Sequence, residues 1–491
     1  MRDFSKFPAP EYKDTVLAPL FDGFKRHHRD HLIAIHHAHG VMLAERGLLR
    51  PDELRAILGA IQAATAGLDP VTLVYTGEHE DFFFWLEAEL RTRLGADLAG
   101  RLHTGRSRND IDHTIFKMSL RARLLALLAR LEGLLTILLA RAEQGAATLV
   151  VAYTHGQPAQ PTTFGHYLAA LIEMLLRDAG RLLHTLETVD RCSMGAAAIT
   201  TSGFGLDRAR VADLLGFAAV QENAYGCIAA VDYVAETYAA LKTLCLGLGR
   251  FVQDLNTWTG FEIGHIRVPD AFVQISSIMP QKRNPVPVEH LRLLCSLAAG
   301  RAEAVLLTLH NTPFTDMNDA EGEVQAAGYE AFDTVDRALM LLTGFMEAIE
   351  IDEARVRRHI AESCITITEV ADTLVREEAI SFRQAHEVAS VLARCLIAAG
   401  ETLANLPMAA FVHAFAAVIG RPPAMDEARF RIVGTPEYFV SVRTMFGGPA
   451  PAALAASFTR YRAALAGVTA SRGAYEARIA AAERARLVAT P

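Results

Sequence analysis

The sequence predicts an all-α protein in three parts, residues 1–110, 111–360 and 361–491, with a bundle of long helices in the middle. Three observations carry this. Apolar residues recur at helical spacing over 115–145, 164–189, 231–258, 288–310 and 323–349, stretches longer than the ~11-residue average helix. No segment keeps up the alternation of a half-buried strand. Turn signals crowd instead into the two flanks.

Up to about residue 89 the pattern is one of short helices, with breaks at Asp22-Gly23, Arg50-Pro51-Asp52 and Leu68-Asp69-Pro70. The first long segment places Leu and Ile around most of its circumference, and a helix apolar all round must be buried all round. Its most apolar run, 124–139, is interrupted by Arg130 and Glu132 and falls short of the ~20 residues of a membrane span. The alternative is the centre of a bundle, one shared between subunits. Beyond residue 351 the helices shorten again, with breaks at Leu406-Pro407, Gly420-Arg421-Pro422-Pro423 and Gly447-Gly448-Pro449. From Ser471 an Ala- and Arg-rich amphipathic helix closes the chain.

The 491 residues are 51% hydrophobic and 21% charged, and the net charge of −8 argues against a phosphate-binding surface. Six cysteines (Cys192, Cys227, Cys245, Cys295, Cys364 and Cys395) form no C-x-x-C pair, which suits a reducing compartment. The first residues are too charged for a secretion signal. The expectation is a cytoplasmic protein that takes small substrates and binds neither nucleic acid nor membrane.

Three polar stretches interrupt the bundle: "LHTGRSRND" (102–110), "YTHGQPAQPTTFGH" (153–166) and "ISSIMPQKRNPVPVEH" (275–290). Loops at a bundle end are expected to meet and form one polar cluster. Arg106, Arg108 and Asn109 offer planar donors for carboxylates. Thr154 and His155 add a hydroxyl and a group that titrates near neutral pH. Ser276 or Ser277, close to Lys282 and Asn284, offers a hydroxyl that a cation helps to deprotonate. Asp110 is the one acid in 102–110, 153–166 and 275–285, so the cluster suits an anionic substrate.

In this order the stretches HTGRSRND, THGQPAQPTTFGH and SSIMPQKRNP closely resemble the conserved regions of the argininosuccinate lyase branch of the fumarase/aspartase superfamily. Weaker likeness extends to "ITEVADTLVREEAISFRQAHE" (367–387) and "VSVRTMFGGPAP" (440–451). The resemblance implies a homotetramer whose active sites each draw on three subunits. It also implies release of fumarate by β-elimination from an N-substituted aspartate, with no metal or organic cofactor. Ser276 then matches the catalytic base on a mobile lid, and Lys282 and Asn284 match the donors that stabilise the aci-carboxylate. His155 and its charge partner Glu289 match the group linked to proton delivery. Ser107, Arg108, Asn109, Thr154, Gln157, Ser277 and Met279 match substrate-binding positions.

The amine side departs from the branch. Where the branch has Tyr-Asn-(Arg/Lys)-Asp-Leu-Gln-Glu-Asp-Lys, this chain has "PFTDMNDAE" (313–321), so the tyrosine falls at Pro313, the glutamine at Asn318 and the lysine at Glu321. The usual Gly-Ser falls at Ile35-His36, Asp-Val-His becomes Asp81-Phe82-Phe83, and the glycine before the lid serines is Ile275. His36, Phe83 and Asn318 are candidates for an altered amine-side pocket. The changes point to an aminopolycarboxylate such as ethylenediamine-N,N′-disuccinate (EDDS), with argininosuccinate as the alternative. Two other classes compete. A packing role like that of lens relatives is opposed by the retained Ser276, Lys282, Asn284 and His155. A metal-dependent oxidase would use His27, His31, His36 and His39, which have helical ligand spacing, but it lacks paired Glu-x-x-His motifs on the long helices.

Overall fold

The computed structural model describes residues 6–69, 71–318 and 321–489; Pro70, Asp319 and Ala320 of the stretches named above lie outside them. Five long helices form the centre: Arg108–Gln144, Phe164–Val189, Asp232–Thr259, Val286–Leu309 and Gly322–Ala348. Each packs on the next and the fifth returns to the first, closing a ring.

Cross-links fix their directions. Arg121, near the start of the first helix, donates from Nη1 to Asp190 just beyond the end of the second at 2.8 Å. Tyr167 and Trp258 stack at 4.5 Å between the start of the second and the end of the third. Lys242 pairs with Glu303 across the third and fourth at 2.5 Å. Arg123 pairs with Asp333 at 3.2 Å and Arg130 with Asp336 at 2.7 Å, so the fifth helix runs alongside the first in the same direction. If the N-terminal end of the first helix is called the lower end, 145–163 and 260–285 lie at the upper end and 310–321 at the lower. With 37 residues, the first helix separates the two ends by ~55 Å.

Residues 110–121 of that helix are buried on every side within one chain. Further along, Ala122, Ala126, Ala129, Gly133, Thr136 and Ala140 form an exposed stripe of small side chains. Glu132, the acid in the apolar run, is buried because Arg472 donates to it from Nε at 2.7 Å and Thr469 from Oγ1 at 2.9 Å. Both partners sit on a 38-residue terminal helix, Pro451–Val488, far longer than the stretch from Ser471. It packs along the first and second long helices, and Leu454, Phe458 and Val468 join the main core. A separate core gathers side chains between Cys364 and Val433, so residues 361–491 divide into a small unit and a helix that belongs to the bundle.

Two sequence expectations need correction. Gly23 does not break a helix but lies within Ala18–His27. The second polar stretch is not an open loop: Leu149–Thr154 and Gln157–Thr163 pair as an antiparallel ribbon. Leu149, Val150 and Val151 are all buried, so the run lacks the alternation that marks a strand in sequence. Among the described residues no helix is long and apolar enough to cross a membrane.

Candidate active site

At the lower end the first helix begins inside its own motif. The Ser107 amide donates to Asp110 Oδ1 at 2.8 Å, and Asp110 Oδ2 accepts from the amides of Gly195 at 2.8 Å and Ala197 at 3.1 Å. Arg108 and Asn109 are therefore the first helical residues, beside free backbone N–H groups and the positive end of the helix dipole. Arg108 donates from Nη2 to Asp112 Oδ2 at 3.0 Å and pairs through Nη1 with Asp81. Burial opposes its charge, but Asp112 and Asp81 outweigh that and raise its pKa. Ser107 Oγ donates to Asn109 Oδ1 at 2.8 Å, and Asn109 Nδ2 donates to Asp316.

A cavity of about 780 Å³ opens here, with Asp81, Arg108, Asp112, Asn318 and Glu321 on its wall. Burial, then the neighbouring Asp112 and Asp316, push Glu321 up to about 7 against the pull of Arg108. Burial raises Asp112 to about 6, with Arg108 opposing and Asp81 adding to the rise. Asp112 Oδ1 is buried and, among the described residues, accepts no hydrogen bond. The sequence drew attention to Glu321 but not to Asp112; its spacing of four from Arg108 on one helix face was the available signal.

Of the three amine-side candidates, Asn318 lines this cavity and His36 and Phe83 do not. Asp81 caps the helix Phe82–Leu94, accepting from the Phe84 amide at 3.0 Å, and this start turns Phe82 and Phe83 into the core. Phe83 is 1% exposed, between the His36 ring at 6.1 Å and the Arg108 guanidinium at 5.4 Å. His36 is wholly buried, its Nδ1 2.9 Å from Arg106 Nη1, and burial with that charge holds its pKa well below the usual value. Two of the other candidates have their own partners: His27 Nδ1 lies 3.2 Å from Arg123 Nη2, and His39 Nε2 lies 3.0 Å from the Thr104 carbonyl. Burial lowers His31 to about 4. Among the described residues no group of three or more His, Cys, Asp or Glu is arranged to hold a metal ion.

At the upper end, His155 (φ 54°) and Gly156 (φ 73°) make the two-residue turn of the 149–163 ribbon. Two positive φ values match the twist of such a hairpin, and a histidine held there stores backbone strain. Thr154, His155 and Gln157 are exposed at its tip. The third stretch is a smaller hairpin, Gln274–Ile275 against Arg283–Asn284. Its base is pinned by Asn284 Nδ2 donating to the Gln274 carbonyl at 2.9 Å and by Arg283 Nη1 on Asp270 at 2.5 Å. At the tip Ser276 Oγ accepts from the Met279 amide at 3.1 Å and, more weakly, the Ile278 amide at 3.4 Å. Ser277, Met279, Lys282 and Glu289 are exposed.

The three stretches do not meet within one chain. Ser107, Arg108, Asn109 and Asn318 belong to the lower end; Thr154, His155, Gln157, Ser276, Ser277, Met279, Lys282, Asn284 and Glu289 belong to the upper end, the length of the first helix away. Among the described residues no hydrogen bond, ion pair or ring contact joins one of the three stretches to another, and none joins His155 to Glu289. The expectation of a single cluster at one bundle end fails for the chain alone because up-and-down connectivity sends the first loop to the opposite end.

A ring of long helices with polar motifs at both ends is the fold of the fumarase superfamily. Class II fumarase from Schistosoma mansoni superposes with a TM-score of 0.68, covering 86% of this chain and 91% of that one at 15% identity. EDDS lyase in complex with formate superposes with a TM-score of 0.85, covering 98% and 95% at 27% identity. A family model described as lyase matches residues 28–300, and one described as argininosuccinate lyase C-terminal matches residues 364–440. Argininosuccinate lyase 2 of Agrobacterium fabrum is 55% identical over 475 residues, 97% of this chain and 93% of that protein. The chain belongs to the argininosuccinate lyase branch of this lyase family, and it is a carbon–nitrogen lyase.

Proposed function

We propose that the protein reversibly eliminates an amine from an N-substituted L-aspartate, releasing fumarate, and that the amine is not arginine. The observation that carries this is the lower cavity. Arg108 and Asn109, suited to the fumaroyl carboxylate, remain, while the facing wall carries Asn318 and Glu321 in place of the branch's glutamine and lysine. A carboxylate where a lysine stands alters what the pocket holds.

In the elimination Ser276 Oγ takes the proton next to the substrate carboxylate, the carbon–nitrogen bond breaks, and the amine leaves with a proton delivered by His155, which Glu289 orients. The carbanion is an aci-carboxylate, and donors such as Lys282 and Asn284 stabilise it, typically by ~3–4 kcal/mol each. The two amides directed at Ser276 Oγ favour its alkoxide for the same reason. Thr154, Gln157, Ser107, Ser277 and Met279 complete the binding surface. Electrons and protons balance within these groups, so the chemistry requires no cofactor.

The working unit is a homotetramer in which three chains build each site, closed by 276–282 as a lid. Two observations support this. The loops are separated by ~55 Å in one chain. The fourth helix also exposes Leu293, Leu297, Gly300, Ala304 and Leu307 at alternating spacings of four and three, the seam of a helix that packs on other helices. The free state of all six cysteines suits the cytoplasm.

The likeness to EDDS lyase favours an aminopolycarboxylate as substrate. The Agrobacterium relative named argininosuccinate lyase supports the alternative. Incubation with fumarate and a panel of amines, with products identified by mass, tests the reading. Fumarate release from argininosuccinate at least as fast as from any other N-substituted aspartate would overturn it.

A further inference from the structure

We propose that the lower cavity selects an amine half bearing a second cationic nitrogen and no carboxylate, with Glu321 and Asp112 as the specificity-determining residues. The inference rests on the function proposed above and narrows its substrate class.

The charges around Arg108 do not balance. Asp81 and Asp112 both pair with its guanidinium, Asp316 accepts from Asn109, and Glu321 lies close enough to feel all of them. Among the described residues one arginine thus faces four carboxylates. Of the other acids on the wall, Asp22 is answered by Lys25 at 2.5 Å, Asp333 by Arg123 at 3.2 Å and Glu330 by Arg301 at 3.1 Å. The excess is concentrated beside the fumaroyl-binding residues, where the amine half of a bound substrate would lie.

The cluster also has an unmet bonding capacity. Asp112 is 4% exposed and lines the cavity, yet its Oδ1 accepts no hydrogen bond while Oδ2 serves Arg108. A buried carboxylate oxygen without a donor is costly, and an ammonium brought by the ligand would supply the donor and the charge together. Burial is the main reason that Glu321 and Asp112 hold protons more tightly than ordinary carboxyls, the neighbouring carboxylates add to it, and Arg108 opposes it without cancelling it.

Three amine halves can be ranked on this basis. Arginine presents an α-carboxylate beside its α-ammonium, and the far half of EDDS two carboxylates beside its own cationic nitrogen, so each brings like charge to Glu321 along with the cation. The mono-substituted diamine N-(2-aminoethyl)aspartate presents an ammonium and meets the opposite charge. The pocket should therefore prefer the mono-substituted compound to the disuccinate.

The test uses three amines of nearly equal length added to fumarate: propylamine, ethylenediamine and β-alanine, which end in a methyl, an ammonium and a carboxylate. With kcat/KM expressed per unprotonated reacting nitrogen, ethylenediamine should exceed propylamine, and propylamine β-alanine, by about tenfold at each step. Glu321→Gln should shrink the ratio of ethylenediamine to propylamine, and Glu321→Lys should move the preference towards β-alanine. Asp112→Asn, which keeps an oxygen for Arg108, should shrink the first ratio as well. Equal values for all three amines with wild-type protein, or a preference for β-alanine, would overturn the inference while leaving the lyase reading intact. Failure of every amine to add to fumarate would overturn the proposed function itself. The wild-type ratios decide the matter even if a variant fails to fold.

Discussion

Consider two variants, each defective at one end of the bundle: Asn109→Ala at the lower end and Ser276→Ala at the upper. Each alone should be inactive, since one loses a carboxylate donor and the other the base. The first helix holds their loops ~55 Å apart in one chain, so the site proposed above takes them from different chains. In random 1:1 assemblies half of the lower loops and half of the upper loops are intact. The two choices are independent, so about one quarter of sites receive both intact loops. Co-expression with two different affinity tags, isolation of mixed assemblies, which removes the inactive one in about eight made of a single kind of chain, and a fumarate absorbance assay should give about 29% of wild-type turnover. If both loops served the same site from one chain, every site would carry a lesion and nothing would return. Mixed assemblies that remain inactive would refute the reasoning.

Ser276→Ala should lower turnover by at least about a hundredfold with the assembly unchanged by light scattering; full activity would remove Ser276 as base. Asp110→Ala strips the acceptor from the amides of Ser107, Gly195 and Ala197 and should cost ~3 kcal/mol in urea unfolding, whereas a loss below ~1 kcal/mol would show these amides finding other partners. Leu297→Asp should dissociate the assembly in size-exclusion chromatography and abolish turnover together; an active monomer would contradict the shared site. Glu321 has a folded pKa raised from 4.5 to about 7, so its contribution to stability is present below 4.5 and is lost as pH rises through 7. Wild-type protein should therefore lose at most about 3 kcal/mol from this group between those limits, and Glu321→Gln should flatten the profile; identical profiles would contradict the raised pKa.

Much of the bundle was legible because a buried helix writes its period into sequence. The segments 164–189 and 323–349 lie within a residue or so of the helices at Phe164–Val189 and Gly322–Ala348. The first helix was placed too late because its opening turn, Arg108-Asn109-Asp110, is polar; only the cap made by Ser107 and Asp110 marks it. Phe83 and His36 looked like pocket residues because sequence shows residue type but not which way a helix start turns a side chain. The terminal helix was legible as a helix but not as part of the bundle, since Arg472 and Glu132 are separated by hundreds of residues and their pairing is tertiary. The separation of the loops, by contrast, follows from counting residues along helices of alternating direction.

That separation bears on the proposed role of Ser276 as base. Lys282 and His155 are exposed on the single chain, where water screens the ammonium and solvates the hydroxyl, so little drives Ser276 towards an alkoxide. Closing the small hairpin over its own chain leaves out Arg108 and Asn109, which are at the far end. The lid gains a substrate to cover, and a dry surface to close against, only when another copy brings its lower end. Desolvation, the proximity of Lys282 and the carboxylate clamp then arrive in one event, which makes assembly part of the catalytic machinery rather than a support for it. Specific activity should accordingly fall on dilution below the dissociation point while lid variants that remain assembled lose activity at every concentration. A lone chain with undiminished turnover would leave the ionisation of Ser276 without a physical cause.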